Sequence, residues 1–299
     1  MTLFRTPVAR GMFLTILGGI CWGVSGTCGQ FLFSAYGVDS LWLTSIRLLS
    51  GGLLMTLLAL VQRPKSVIGL LRNPRDVLQL VLYGTLGLLM VQYAYLTGIY
   101  WSNAATTTVL QNLGPSMVMV CTCLLSRRLP TKVEVAALML ALFGVFLLAT
   151  GGNPGQMVLS PKGLFWGIMS AVGVVLYTLI PRSLLEKWER DVVVGLGMLI
   201  GGIAINLYAP CWAGNVSLPL KGWLCIAVIV ILGTVLSFSL VTLGITVIGP
   251  IRTSMLNAVE PVTATILSVL WLGTSFTVTD LIAFAAILTT VVLLAKSKN

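Results

Sequence analysis

Ten stretches of this chain carry few or no charges and approach the length a bilayer demands: about 11–33, 41–61, 77–98, 104–125, 133–150, 163–181, 192–212, 222–244, 251–272 and 280–295. A helix needs about 20 apolar residues to cross the hydrocarbon core. The runs do not alternate apolar with polar residues, which excludes a membrane β-barrel. Only 9% of the 299 residues are charged, against about 25% in soluble domains, so a soluble or disordered chain is excluded. The expected fold is an all-α membrane protein of ten spans with short connections. Arg5 and Arg10 precede the first run as in a signal peptide, but the run is too long, and a retained first helix is expected.

Charge placement sets the expected orientation. With the N-terminus in the cytoplasm, the inner segments hold Arg5, Arg10, Arg63, Lys65, Arg72, Arg75, Arg127, Arg128, Lys132, Arg182, Lys187, Arg190, Arg252, Lys296 and Lys298. The outer segments hold Lys162 and Lys221, and Arg47 lies inside span 2. That bias is what orients membrane helices, so both termini are expected in the cytoplasm of a bacterial inner membrane. The net charge of +10 therefore reads as membrane orientation, and no nucleic-acid partner is expected.

The chain repeats itself. Residues 87–150 align without a gap on 233–296. Gly87 falls on Gly233, Gly98-Ile99 on Gly244-Ile245, Thr107 on Thr253, Leu110 on Leu256, Pro115 on Pro261 and Thr131 on Thr277. Spans 3–5 thus match spans 8–10. Two units are expected, 1–151 and 160–299, each of five helices. An odd number inverts the second relative to the first, a transporter architecture that places substrate near the midplane.

Against this background the chain resembles the EamA-type members of the drug/metabolite transporter superfamily. The resemblance is carried by Cys21-Trp22-Gly23, Arg47, Ser102-Asn103-Ala104-Ala105 with Pro115, and Glu260-Pro261, together with the two five-helix halves. It implies an export carrier for amino acids or related metabolites. The family usually has a Glu just after helices 4 and 9, where this chain has Arg127 or Arg128 and Thr274.

Candidate site residues are polar groups at membrane depth, which must face protein or water. Helical spacing puts Asn103, Thr107, Gln111 and Gly114 on one face of helix 4, and the repeat gives Gly249, Thr253, Asn257 and Glu260 in helix 9. Pro115 and Pro261 each clash with the carbonyl four residues earlier, on Gln111 and Asn257, so each kink is expected to expose a carbonyl beside an amide. Such broken helices contact substrate in many carriers. Glu260 is the acid well inside a span, a functional candidate by position, for a substrate ammonium or a coupling proton. Helix 1 also offers Ser25 and Gln30, and Trp22, Gln92, Tyr95, Tyr177 and Ser237 complete the expected lining. Trp101, Trp188, Trp212 and Trp271 read as interface anchors. Arg47 reads as a snorkelling or helix-capping residue.

Several functions are disfavoured. The chain has no His, the commonest metal ligand and general base. No catalytic constellation and no phosphate-binding glycine loop occur, so neither catalysis, a metal nor a cofactor is expected, and transport should run on a gradient or downhill. The six Cys sit in apolar runs and read as packing residues. The expected partners are a small-molecule substrate, the lipid bilayer and a proton as coupling ion. Multidrug efflux of lipophilic cations is the competing carrier reading, since an aromatic cavity with one acid suits them; a membrane enzyme or scaffold comes behind it.

Overall fold

The computed structural model describes residues 6–213 and 216–297; Arg5 and Lys298 lie outside the described residues. Among those described, ten helices are long and apolar enough to cross a membrane. They are span 1, Pro7–Tyr36; span 2, Ser40–Gln62; span 3, Pro74–Trp101; span 4, Ala104–Leu125; and span 5, Lys132–Thr150. Span 6 follows at Pro161–Lys187, span 7 at Arg190–Tyr208, span 8 at Leu220–Gly249, span 9 at Arg252–Leu270 and span 10 at Val278–Ala295. A short helix, Pro64–Arg72, lies between spans 2 and 3, which hydropathy alone leaves as a break. It buries Val67 and Leu70. Arg63 just before it pairs with Glu189 at 3.0 Å and Asp191 at 3.2 Å. The Ser66 hydroxyl donates to Glu189 and, with Arg63, holds that carboxyl below the usual range.

The repeat extends into backbone detail. A π-helical turn covers Tyr83–Leu89 in span 3 and another covers Ile231–Leu236 in span 8, over the aligned Gly87 and Gly233. The helix breaks at Asn103 (φ −160°, ψ 168°) and at its counterpart Gly249 (φ 80°, ψ 163°). Thr131 and Glu134 form a capping box at the start of span 5. At the aligned start of span 10, Thr277 N donates to Asp280 Oδ2 at 2.8 Å and Asp280 N to Thr277 Oγ1 at 3.2 Å.

The two halves interdigitate. Span 1 packs on spans 8 and 9 of the second half, and span 6 packs on spans 3 and 4 of the first. Spans 2 and 7 pair across the pseudo-symmetry, as do spans 5 and 10. Small residues make this possible, because lipid supplies no hydrophobic force between helices and association depends on close contact. A Cβ on Gly202 in span 7 would stand 2.7 Å from Leu49 Cα, and one on Gly52 in span 2 would stand 2.7 Å from the Met198 carbonyl carbon. Backbone cannot yield as a side chain does. Gly202→Val is therefore expected to cost about 1–3 kcal/mol of stability by overpacking, whereas Ile203→Ala, on the exposed face of the same helix, should leave the melting temperature near wild type. Equal melting of Gly202→Val and wild type in detergent would contradict this packing.

Candidate functional site within the helix bundle

Span 4 is built as two helices, Ala104–Gln111 and Gly114–Leu125, joined by a turn at Asn112 (φ −68°, ψ 0°) and Leu113 (φ −69°, ψ −19°). Span 9 breaks within one residue of the aligned place, at Asn257 (φ −64°, ψ −13°) and Ala258 (φ −60°, ψ −9°). This corrects the expected kink. Pro115 and Pro261 stand in the first turn of a new helix, where a missing N–H costs nothing. The Asn257 carbonyl is not exposed, since it accepts from Glu260 N at 3.0 Å. Asn103 is likewise no part of a lining face: it is an extended N-cap whose side chain accepts from Thr106 N at 2.8 Å.

The breaks still place Gln111 at the end of the first piece of span 4 and Asn257 two residues before the second piece of span 9, and those two pieces pack on each other. Asn257 Oδ1 is buried without a hydrogen-bond partner, as are Ser25 Oγ on span 1 and Ser116 Oγ on span 4. A buried polar atom left unpaired costs about 1–3 kcal/mol, so such atoms mark places where a ligand or water can be received.

Glycines on span 1 gather the central residues. A Cβ on Gly23 would lie 2.8 Å from the Glu260 carbonyl oxygen and 2.7 Å from Thr263 Cβ, and one on Gly26 would strike the Tyr95 hydroxyl. Span 1 thus lies flush between spans 9 and 3, with Trp22 on the same turn, its ring edge-on to Phe238 of span 8 at 5.3 Å. Tyr95 shares a hydrogen bond with Thr108 of span 4 at 2.9 Å. Gln92, one turn earlier on span 3, is buried. The Glu260 carboxyl makes no hydrogen bond or ion pair among the described residues, and the residue keeps accessible surface although protein surrounds it. Arg47 and Tyr95 are near enough to interact with it electrostatically.

Arg47 is 4% exposed, so it does not snorkel. It donates from Nη2 to the Gly233 carbonyl and from Nε to Thr234 Oγ1, both at 3.2 Å, inside the π-turn of span 8. A π-turn leaves carbonyls poorly served by the helix, and a guanidinium fork satisfies one. Ser237 serves the same turn, its hydroxyl donating to Leu232 O at 2.6 Å.

Three expected residues lie elsewhere or are engaged. Thr107 is fully buried one turn inside span 4, sharing a hydrogen bond with Ser102 at 2.9 Å. Tyr177 lies at the end of span 6 that carries the basic residues, where its hydroxyl accepts from Arg190 at 3.1 Å. Trp188, expected as an anchor, donates from Nε1 to the buried Asp76 at 3.0 Å.

Two cavities open from the ends of the bundle. One of about 360 Å³ lies at the end poor in basic residues, lined by Gln30, Phe33, Ser34, Ile99, Tyr100, Trp101 and Ser102. The other, about 90 Å³, lies at the basic end beside Tyr83, Tyr177 and Arg190. Neither is lined by Glu260. The larger one stops at Gln30, whose Oε1 accepts from Ala104 N at 2.9 Å and Ser268 Oγ at 3.2 Å while Nε2 donates to Thr274 Oγ1 at 3.1 Å. One side chain thus ties span 1 to span 4, span 9 and the loop after it. The aligned partners at the basic end cannot form the same tie: Ala104 corresponds to Pro250, which has no N–H, and Thr274 to Arg128, which is held by Glu134 at 2.7 Å. Gln30 and Arg190 acquire these roles through tertiary contacts that spacing does not reveal.

Two five-helix units in inverted repeat around an interior acid are an architecture used by membrane transporters. Residues 9–150 and 161–296 match the EamA-like transporter family, and the chain belongs to it. It is 36% identical over 289 residues to YicL of Salmonella typhimurium, an uncharacterized inner membrane transporter, spanning 96% of this chain and 95% of that protein. A solved crystal structure at 20% identity superimposes with a TM-score of 0.63 over 96% of this chain and 99% of the other, a likeness of fold.

Proposed function

We propose that the chain exports small polar metabolites, amino acids or related compounds, by alternating access. Its substrate path is formed by Trp22, Gln92, Tyr95, Thr107, Gln111, Tyr177, Ser237, Asn257 and Glu260, within repeat units 1–151 and 160–299. It does no catalysis and needs no cofactor. The observation that carries this reading is Glu260, an interior acid whose carboxyl makes no hydrogen bond or ion pair among the described residues. An unpaired carboxylate at membrane depth is costly, and a substrate ammonium or a coupling proton relieves the cost. Unpartnered Asn257 Oδ1 one turn before it supplies a neutral acceptor for the same cation. The aromatic pair Trp22–Phe238 favours the second reading, efflux of lipophilic cations.

Uptake into vesicles containing the purified protein separates the two. Competition by zwitterionic amino acids and indifference to hydrophobic cations support the first; the reverse pattern supports the second. Gln111→Ala and Asn257→Ala should each cut transport severalfold at near-normal expression. Normal rates in both would remove the two breaks from the path. The protein resides in a bacterial inner membrane with both termini cytoplasmic, because the basic residues gather on that side. Reporter fusions after Asn299 and within 213–221 should report opposite sides; the same side for both would contradict the orientation.

A further inference from the structure

The smaller cavity lies where the ends of spans 3, 6 and 7 meet. Arg190 opens span 7, and among the described residues its guanidinium makes one hydrogen bond, from Nη2 to Tyr177 Oη at 3.1 Å. A guanidinium has five N–H donors in a rigid fork, so most remain to be used. The acids around it are committed elsewhere or turned to solvent. Glu189 and Asp191, its neighbours in sequence, pair with Arg63 at 3.0 Å and 3.2 Å. Asp76 is held by Lys187 at 2.9 Å and Trp188 at 3.0 Å, and Glu186 is exposed. A half-buried cation is thus left facing a cavity with no counter-ion among the described residues.

The cavity is about 90 Å³, the room of about three waters. Its other walls are the Tyr83 ring, stacked on Tyr177 with centroids 5.9 Å apart, Thr178, whose hydroxyl donates to the Val174 carbonyl at 2.7 Å, and the apolar Pro181, Leu185 and Val194. One planar cation, the Tyr177 hydroxyl bonded to it and largely apolar walls suit a small, flat, singly charged anion. A carboxylate matches the guanidinium fork bidentately. A phosphate dianion would ask for more than one cation.

We propose that this cavity is a carboxylate-binding site, held by Arg190 and Tyr177, where the acid group of an amino-acid-like substrate docks at the basic end before it reaches Glu260. The assignment of the ligand to the transported substrate rests on the function proposed above; the carboxylate site itself does not, and is tested without transport. Propionate is titrated calorimetrically into purified protein in nanodiscs of zwitterionic lipid, with propylammonium, chloride and inorganic phosphate in parallel. Wild type should bind propionate saturably and should not bind propylammonium. Tyr177→Phe, which keeps the stacked ring, should weaken binding severalfold. Arg190→Lys keeps the charge and loses the fork, and should weaken it by about tenfold or more, and Arg190→Gln should abolish it. Wild-type affinity in Arg190→Lys, displacement of propionate by equal chloride, or preference for phosphate would overturn the proposal. Propionate binding that persists in a protein found not to move amino acids would uphold the site and sink the transport reading instead.

Discussion

Glu260→Gln is expected to abolish gradient-driven accumulation while sparing downhill exchange. The substitution keeps the size and hydrogen-bonding capacity of the side chain and removes its exchangeable charge. Glu260 stands in the protein interior without a bonded partner, with Arg47 fixed on the Gly233 carbonyl nearby. Arg47 therefore supplies a field and no direct ion pair. The chain has no His, so few other groups at this depth can take up and release a proton in each cycle. A gradient of one pH unit can sustain about tenfold accumulation at one proton per substrate, about 1.4 kcal/mol. Wild-type vesicles should approach that ratio, and Glu260→Gln vesicles should stop at equal concentrations inside and outside. Accumulation by the variant at the wild-type level would remove Glu260 from coupling.

Gln30→Ala is expected to open the end of the bundle that is poor in basic residues. The amide of Gln30 makes three hydrogen bonds to three different segments, and no equivalent tie can form at the other end through Pro250. At about 1 kcal/mol each, their loss would raise the population open at that end by roughly a hundredfold. Thr107 lies one turn beneath the tie and is fully buried, so a cysteine there reports opening. With the six native cysteines replaced, Thr107→Cys should react slowly with a membrane-impermeant thiol reagent, and far faster when combined with Gln30→Ala. Equal rates would mean that Gln30 does not hold that end shut.

Ten spans and their pairing in two inverted halves are legible in the sequence because length, charge and the aligned Pro115 and Pro261 are local properties. The finer symmetry is partly legible. Thr131 with Glu134, and Thr277 with Asp280, are readable as caps, and Asn103 is a favoured N-cap residue whose role is masked by the polar stripe continuing through it. The π-turns leave no mark on hydropathy, since a wider turn changes hydrogen bonding and not composition. The prolines are visible, but whether a proline kinks one helix or begins another depends on the turn before it, and here Asn112-Leu113 and Asn257-Ala258 decide. The interior acid is legible from Glu260 alone. Arg190 is read as one more charge at a loop because span 7 begins two residues earlier than hydropathy places it. Arg47 has two sequence readings, and only its hydrogen bond to the buried Gly233 carbonyl chooses between them.

A carrier of amino-acid-like substrates that alternates between two faces must exchange labelled for unlabelled substrate across the membrane. Counterflow tests this exchange most directly. Vesicles containing the purified protein are loaded with an unlabelled amino-acid mixture and placed in trace labelled mixture with no ion gradient. A carrier that alternates should draw label inward to a transient peak above equilibrium. Label that rises only to equilibrium, or does not enter faster than into protein-free vesicles, would contradict the account.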